Sequence, residues 1–232
     1  MQNKTAILVF ANSAREEIKH KSIPNGYALF NGLTAHTLKT VKKTNLPFFH
    51  CTEQEQWGNS FGERFLNAIK WVFNQGYQNI ITIGNDTPQL TASLIINTHL
   101  QLTHNRTVLG PSSDGGFYLM GFHKSLIKSI GEKQFKNLPW KKASLNKTLN
   151  NLLKLKTRET VSLPNLHDLD TLADIKKLIE KKTTLPKKII NLLNTLFRKA
   201  FKISVLPLQL TQLYFLKYYF NKGSPIQNIS WI

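Results

Sequence analysis

A single cysteine, Cys51, in 232 residues excludes a disulfide framework and a thiolate zinc site, and fits a reducing compartment. Long apolar runs are missing too. The late stretch 203–220 is broken by Pro207, Gln209, Gln212 and Lys217, which makes it a poor membrane span. The N-terminal run 6–11 is shorter than a secretory apolar region and is followed at once by Arg15, Glu16 and Glu17, so a cytoplasmic location is expected. The seven histidines show no metal-ligand spacing: His99 and His104 stand five apart and read as surface residues. His167, beside Asp168, is the histidine best placed to join a metal shell. There is neither a nucleophile elbow nor a Walker loop.

Acidic residues are scarce and unevenly spread. Residues 1–123 carry a net charge of +3 and residues 124–232 a net +15, within a total of +18, and no acid occurs from Lys181 onward. Such asymmetry marks an appended surface-binding segment more often than a catalytic core. Hydrophobic residues make up 41% of the chain, enough for a real core, and the length suits one domain with an appendage. The division expected is a domain over 1–184 and a basic, helical C-terminal extension over 185–232.

Short branched or aromatic runs bounded by Gly, Pro, Asn or Asp predict strands at 6–11, 46–51, 80–84, 107–110 and 117–122. Between them lie helix patterns at 27–43, 61–75 and 91–102. In the second, Phe61, Phe65, Ala68, Ile69, Val72 and Phe73 follow the spacing of a buried stripe, Asn59 or Ser60 can cap the start, and Gly76 can stop it. Strands alternating with helices predict an α/β layer fold with a largely parallel sheet, in which ligands bind beyond the C-terminal strand ends. Further on, leucines at 145–153 suggest a helix, 160–163 a short strand, and 170–182 a helix opened by Asp170 or Thr171. Trp57, Trp71, Trp140 and Trp231 read as core or packing residues.

The stretch 187–203 divides cleanly. Ile189, Ile190, Leu192, Leu193, Leu196, Phe197, Ala200, Phe201 and Ile203 fall on one half of a helical wheel, and Lys187, Lys188, Arg198, Lys199 and Lys202 on the other with the polar residues. Such a basic amphipathic helix either docks on the domain or lies in an anionic membrane interface at the inner face of the membrane. Its broad apolar face favours a lipid or protein surface over nucleic acid.

Three segments could carry chemistry. At a strand end, Ile83-Gly84-Asn85-Asp86-Thr87-Pro88 leaves a carboxylate that can hold a divalent ion against phosphate oxygens or cap the next helix; Gly84 lets a ligand approach closely. Ser112-Ser113-Asp114-Gly115-Gly116 combines an aspartate with paired glycines, which alone would suit a hairpin turn. Asp168-Leu169-Asp170-Thr171 places two carboxylates before a helix, where capping competes with metal binding.

Taken in order, Gln56–Phe65, Ile83–Pro88, Gly110–Gly121 and Asp168–Ile175 resemble the bacterial GT-A-like family of arsenosugar-biosynthesis-type glycosyltransferases, in the nucleotide-diphospho-sugar transferase superfamily. The resemblance implies a GT-A-like, Rossmann-like sandwich with helices on both faces of a mixed, mainly parallel sheet, and a nucleotide-sugar pocket at the strand ends. Asp86 matches a metal- and diphosphate-side aspartate, Asp114, Gly115 and Gly116 a turn facing the acceptor, and Asp168 and Asp170 a late acidic motif. Gly62 and Arg64 match a segment near the nucleotide. The first loop departs from the family: residues 11–22 lack its glycine, while Lys19 and Lys21 keep cations there. Backbone cradling of a phosphate is lost and side-chain neutralisation remains.

The expectation is a metal-dependent glycosyltransferase. Asp86 and Asp114 are the catalytic candidates. Lys19, Lys21, Gly62, Arg64, Gly84, Gly115 and Gly116 are the donor-binding candidates. Asp86, Asp168 and Asp170 are the candidate ligands of Mg²⁺ or Mn²⁺. The donor would be a nucleotide-diphospho-sugar and the acceptor a small molecule or a lipid-linked group. The alternatives are a nucleotidyltransferase acting on a nucleoside triphosphate, and a non-catalytic binding domain with a membrane- or nucleic-acid-binding tail.

Overall fold

The computed structural model describes residues 4–21, 23–140, 142–155, 159–180 and 185–200. Five apolar strands form where the patterns place them: β1 (Thr5–Phe10), β2 (Phe48–Cys51), β3 (Asn79–Ile83), β4 (Thr107–Pro111) and β5 (Phe117–His123). A sixth, β6 (Thr160–Ser162), completes a sheet in the order β2-β1-β3-β5-β4-β6. Only β5 runs against the others, pairing antiparallel with both β3 and β4. The C-terminal ends of β1, β3, β4 and β6 therefore share one edge of the sheet. β1 and β3 are buried on both faces, which is why they read as continuous apolar runs rather than alternating ones.

Helices cover both faces. On one side α3 (Phe61–Asn74) lies with α5 (Ser125–Ile130), α6 (Glu132–Lys136) and α7 (Leu145–Leu155), burying Phe65, Ile69, Val72, Phe135 and Leu149 against the sheet. Ser60 caps α3, accepting from Glu63 N at 3.2 Å, while Glu63 Oε2 accepts from Asn59 N. On the other side, α2 (Tyr27–Lys42) and α4 (Ala92–Thr103) pack through Val41, Ile95 and Leu102.

Three features depart from the sequence reading. Residues 11–22, read as a loop, hold the helix α1 (Ala14–His20), capped by Ser13. Ser13-Ala14-Arg15-Glu16 is a capping-box pattern, so the signal is present in the sequence. The short helices α5 and α6 meet at Gly131, whose φ of +88° turns the chain sharply between them. Trp57 and Trp71, read as core or packing residues, are not in the core: they are 65% and 48% exposed. Trp71 packs edge-on against Phe49 beside the edge strand β2. Trp231 lies outside the described residues.

The remaining helices are α8 (Leu172–Glu180) and α9 (Lys187–Ala200). The apolar face of α9 docks: Ile189, Leu193 and Leu196 join Leu29, Phe30 and Leu33 of α2 in one buried cluster. Gly32 permits the close contact, since a Cβ there would stand 2.3 Å from Leu192 Cδ1. Positions 201–203 of the expected helix lie outside the described residues. Among the described residues, no helix is long and apolar enough to cross a membrane.

Candidate functional site

Beyond the shared strand ends lies an open cavity of about 420 Å³. Phe10, Phe61, Phe65 and Trp140 make an apolar wall, with Phe10 and Phe65 ring centroids 5.1 Å apart and Phe65 and Trp140 5.2 Å apart. Five carboxylates, Glu17, Asp86, Asp114, Asp168 and Asp170, line the cavity as well, together with Lys21 and Arg64.

Local structure explains how each acid is freed for the site. Thr91 caps α4, accepting from Leu94 N, so Asp86 is not a helix cap. Thr171 Oγ1 accepts from Asp174 N and Asp174 Oδ2 from Thr171 N; this box opens α8 and leaves Asp170 to the cavity. The segment holding Asp168 and Asp170 is drawn across the strand ends by Ser113 N to Leu166 O at 3.0 Å and Leu169 N to Asp86 O at 3.0 Å. Leu169 between them is fully buried, which fixes its neighbours. Asp114 does sit in the turn of the β4–β5 hairpin, as its glycines suggest. Its Oδ1 accepts from Gly116 N at 2.9 Å and from Ser112 Oγ, while the carboxylate lines the cavity. Gly84 stands where a Cβ would press to 3.0 Å of Asp86 Oδ1.

Lys21 is the hub. Its Nζ lies 2.8 Å from Asp170 Oδ1, 2.9 Å from Asp86 Oδ2 and 3.2 Å from Glu17 Oε2. Burial opposes the Lys21 charge, but the three carboxylates outweigh it and raise the ammonium pKa. Burial likewise works against ionisation of Asp86, and Lys21 overrides it, holding that carboxyl below its usual range. Among the described residues, Asp168 has no such cationic partner. Burial, and then the charge of Asp86, push it up to about 7, against the hydrogen bond from Thr87. Burial also raises Glu17 and Asp170, with Lys21 pulling the other way.

The site thus assembles Asp86, Asp114, Asp168, Asp170, Lys21, Arg64, Gly84 and Gly116. Lys19 is not among them. It pairs with Glu16 at 2.6 Å on the outer side of α1, because residues two apart on a helix point about 200° apart. Gly62 and Gly115 do not line the cavity either. Both are packing glycines: a Cβ at Gly62 would meet Lys136 O at 2.0 Å, and one at Gly115 would meet Ala143 O at 2.1 Å. His167 pairs through Nδ1 with Ser113 Oγ at 2.8 Å and lies off the cavity. His99, read as a surface residue, is partly buried with Nδ1 3.0 Å from Thr5 Oγ1.

Sequence reading missed Glu17 as a partner of Lys21, Thr87 and Ser112 as donors, and Trp140 as a wall of the cavity. Glu17 and Lys21 are four apart, the helical spacing for an ion pair, and follow once α1 is read as a helix. The start of α1 is itself occupied by an acid, with Ser13 N and Ser13 Oγ donating to the two oxygens of Glu53, each at 2.7 Å.

The donor set is all oxygen, as a hard divalent cation requires. The excess of carboxylates over cations, and the raised Asp168 pKa beside Asp86, fit a site completed by added positive charge. Among the described residues, no three His, Cys, Asp or Glu side chains are gathered to hold an ion alone. The expected set of Asp86, Asp168 and Asp170 is therefore not gathered as a three-carboxylate ligand group, because Asp170 and Asp86 are drawn to Lys21.

The sheet order, its single antiparallel strand among the described residues and the helices on both faces make a GT-A-like, Rossmann-like sandwich. Residues 28–142 match the model of a bacterial family described as an uncharacterized protein conserved in bacteria, DUF2064. Among solved structures, the chain is similar to a candidate nucleotide-diphospho-sugar transferase from Desulfovibrio desulfuricans, with 20% identity, a TM-score of 0.70, and 84% of this chain and 97% of that one covered. It is also similar to 4-diphosphocytidyl-2C-methyl-D-erythritol synthase from Anaerococcus prevotii, with 12% identity, a TM-score of 0.50, and 78% and 99% covered. At these identities the likeness is one of fold. No curated protein matches the chain.

Proposed function

We propose that the protein is a metal-dependent glycosyltransferase that takes a nucleotide-diphospho-sugar donor. The observation that carries this reading is the charge of the cavity. Five carboxylates line it, and the ammonium of Lys21 is shared among three of them. A nucleoside triphosphate would bring two more negative charges than a nucleotide sugar into that setting, at a Coulomb cost that grows in a partly buried site. The start of α1, where a phosphate could be cradled, is already taken by Glu53. The likeness of the sequence motifs to arsenosugar-biosynthesis-type glycosyltransferases supports the same reaction class.

In this reading Asp86 and Asp168 hold a divalent ion against the donor diphosphate, where its charge would offset that of the leaving group. Arg64, on the first turn of α3 and lining the cavity, would pair with the donor phosphates. Phe10, Phe61 and Trp140 cover the apolar parts of the donor and thin the water around it. Asp114, fixed by Ser112 and Gly116, takes the proton of an acceptor hydroxyl if the reaction inverts.

Ligand preference tests this. Thermal melting in the presence of Mn²⁺ should shift upward with a nucleotide sugar and less with the corresponding triphosphate. A larger shift with triphosphates across all bases would favour nucleotidyl transfer instead.

A further inference from the structure

A lysine ammonium has three donor hydrogens, and that of Lys21 stands within 3.2 Å of three carboxylates, donating to Asp86 Oδ2 at 2.9 Å. The side chain is only 14% exposed, and the ring of Phe30 stands 5.6 Å from Nζ. Its backbone is held as well: Lys21 closes α1, its N–H donating to Glu17 O at 3.0 Å. Glu17 reaches it from the preceding turn, Asp86 from the end of β3 and Asp170 from the start of α8. Three carboxylates from three points of the chain therefore converge on one positive charge.

We propose that Lys21 is a built-in counter-cation that neutralises this acidic cluster in the donor-free protein and thereby holds down the site's affinity for free divalent metal, until a donor diphosphate draws the ammonium away. The proposal rests on the reading above, in which Asp86 is a metal ligand. An ammonium at 2.9 Å from one oxygen of Asp86 and a divalent ion on the other oxygen would lie within a few ångströms of each other, and like charges so placed repel strongly where water is scarce. Without either cation, three carboxylates gathered around one point would repel one another. The two cations do the same work and are poorly compatible. A diphosphate relieves the conflict, since it supplies acceptors for Lys21 and further ligands for the metal. Metal and donor would then each raise the affinity for the other by the same factor.

The test is a titration of the full chain with Mn²⁺ alone, read as free Mn²⁺ by electron paramagnetic resonance, with no nucleotide present. Lys21→Met and Lys21→Gln should bind Mn²⁺ at least tenfold more tightly than wild type, and adding Asp86→Asn to either should abolish the gain. Equal or weaker Mn²⁺ binding by the folded single variants would overturn the proposal and leave Lys21 as a scaffold for the acids. Because an unpaired acidic cluster can block folding, the wild type carries a second readout. Lys21 should resist reductive methylation in the metal-free protein and become reactive at saturating Mn²⁺; unchanged protection would overturn the proposal equally. Neither readout involves turnover, so failure of the transfer reading would appear in product assays and not here.

Discussion

The hydroxyl of Thr87 donates to Asp168 Oδ1 at 2.5 Å, tying the loop after β3 to a segment 81 positions later in the chain. This bond and the one from Leu169 N to Asp86 O fix the two acids relative to each other before any ligand arrives.

Thr87→Val keeps the shape of the side chain and removes the donor. It should lower stability by about 1–2 kcal/mol, because a largely buried carboxyl loses a partner, and should cut turnover of the donor by tenfold or more. Chemical denaturation and steady-state assays on the same preparation check both. Loss of stability with full turnover would show that Asp168 needs no positioning from Thr87.

Asp168 also sets a pH dependence. Its pKa in the folded protein is about 7, against an ordinary carboxyl value of 3.8. The folded state therefore holds the proton more tightly than the unfolded state, and the donor-free protein should lose stability as pH rises from about 4 to about 7, with a slope of at most about one proton. Asp168→Asn should flatten that part of the profile. An identical profile in the variant would contradict the assignment.

Gly62→Ala separates packing from donor binding. The added Cβ would press on Lys136 O and Trp140 Nε1, so the variant should lose about 1–3 kcal/mol of stability. Unchanged stability together with weakened donor binding would return Gly62 to the ligand.

The docked helix makes a further prediction. Leu193 on α9 is 1% exposed against the α2 cluster, and Leu193→Ala should cost about 2–5 kcal/mol. A cost below 1 kcal/mol would mean that the helix does not depend on this contact and could present its apolar face elsewhere.

Much of this was legible in the sequence. The strands follow from apolar runs bounded by turn residues, and α3 from its 3-4 stripe, because both signals are local. Position alone leaves Asp86, Asp168 and Asp170 open between capping and metal binding and makes Asp114 a hairpin turn; the order of the motifs is what singles the four out together. What was not legible is tertiary: Lys21 finds Asp86 and Asp170 only after β3 and α8 are in place. Lys19 was misplaced for a different reason. Reading 11–22 as a loop hid the helical geometry that sends Lys19 outward while Lys21 turns in. Gly62 was assigned to the nucleotide by likeness, whereas the contact that demands a glycine there comes from Lys136 and Trp140, more than seventy residues away.

The central claim concerns which bond breaks. Glycosyl transfer cleaves the donor between the anomeric carbon and the diphosphate, releasing a nucleoside diphosphate; nucleotidyl transfer cleaves a triphosphate and releases pyrophosphate. The direct measurement is product analysis by mass spectrometry after incubating the protein and its Asp86→Ala variant with Mn²⁺, a panel of nucleotide sugars and, separately, nucleoside triphosphates with sugar phosphates. The account predicts slow, metal-dependent release of nucleoside diphosphate from one nucleotide sugar, with water standing in for the acceptor, and its loss in Asp86→Ala. Pyrophosphate release from a triphosphate, with every nucleotide sugar left intact, would contradict it.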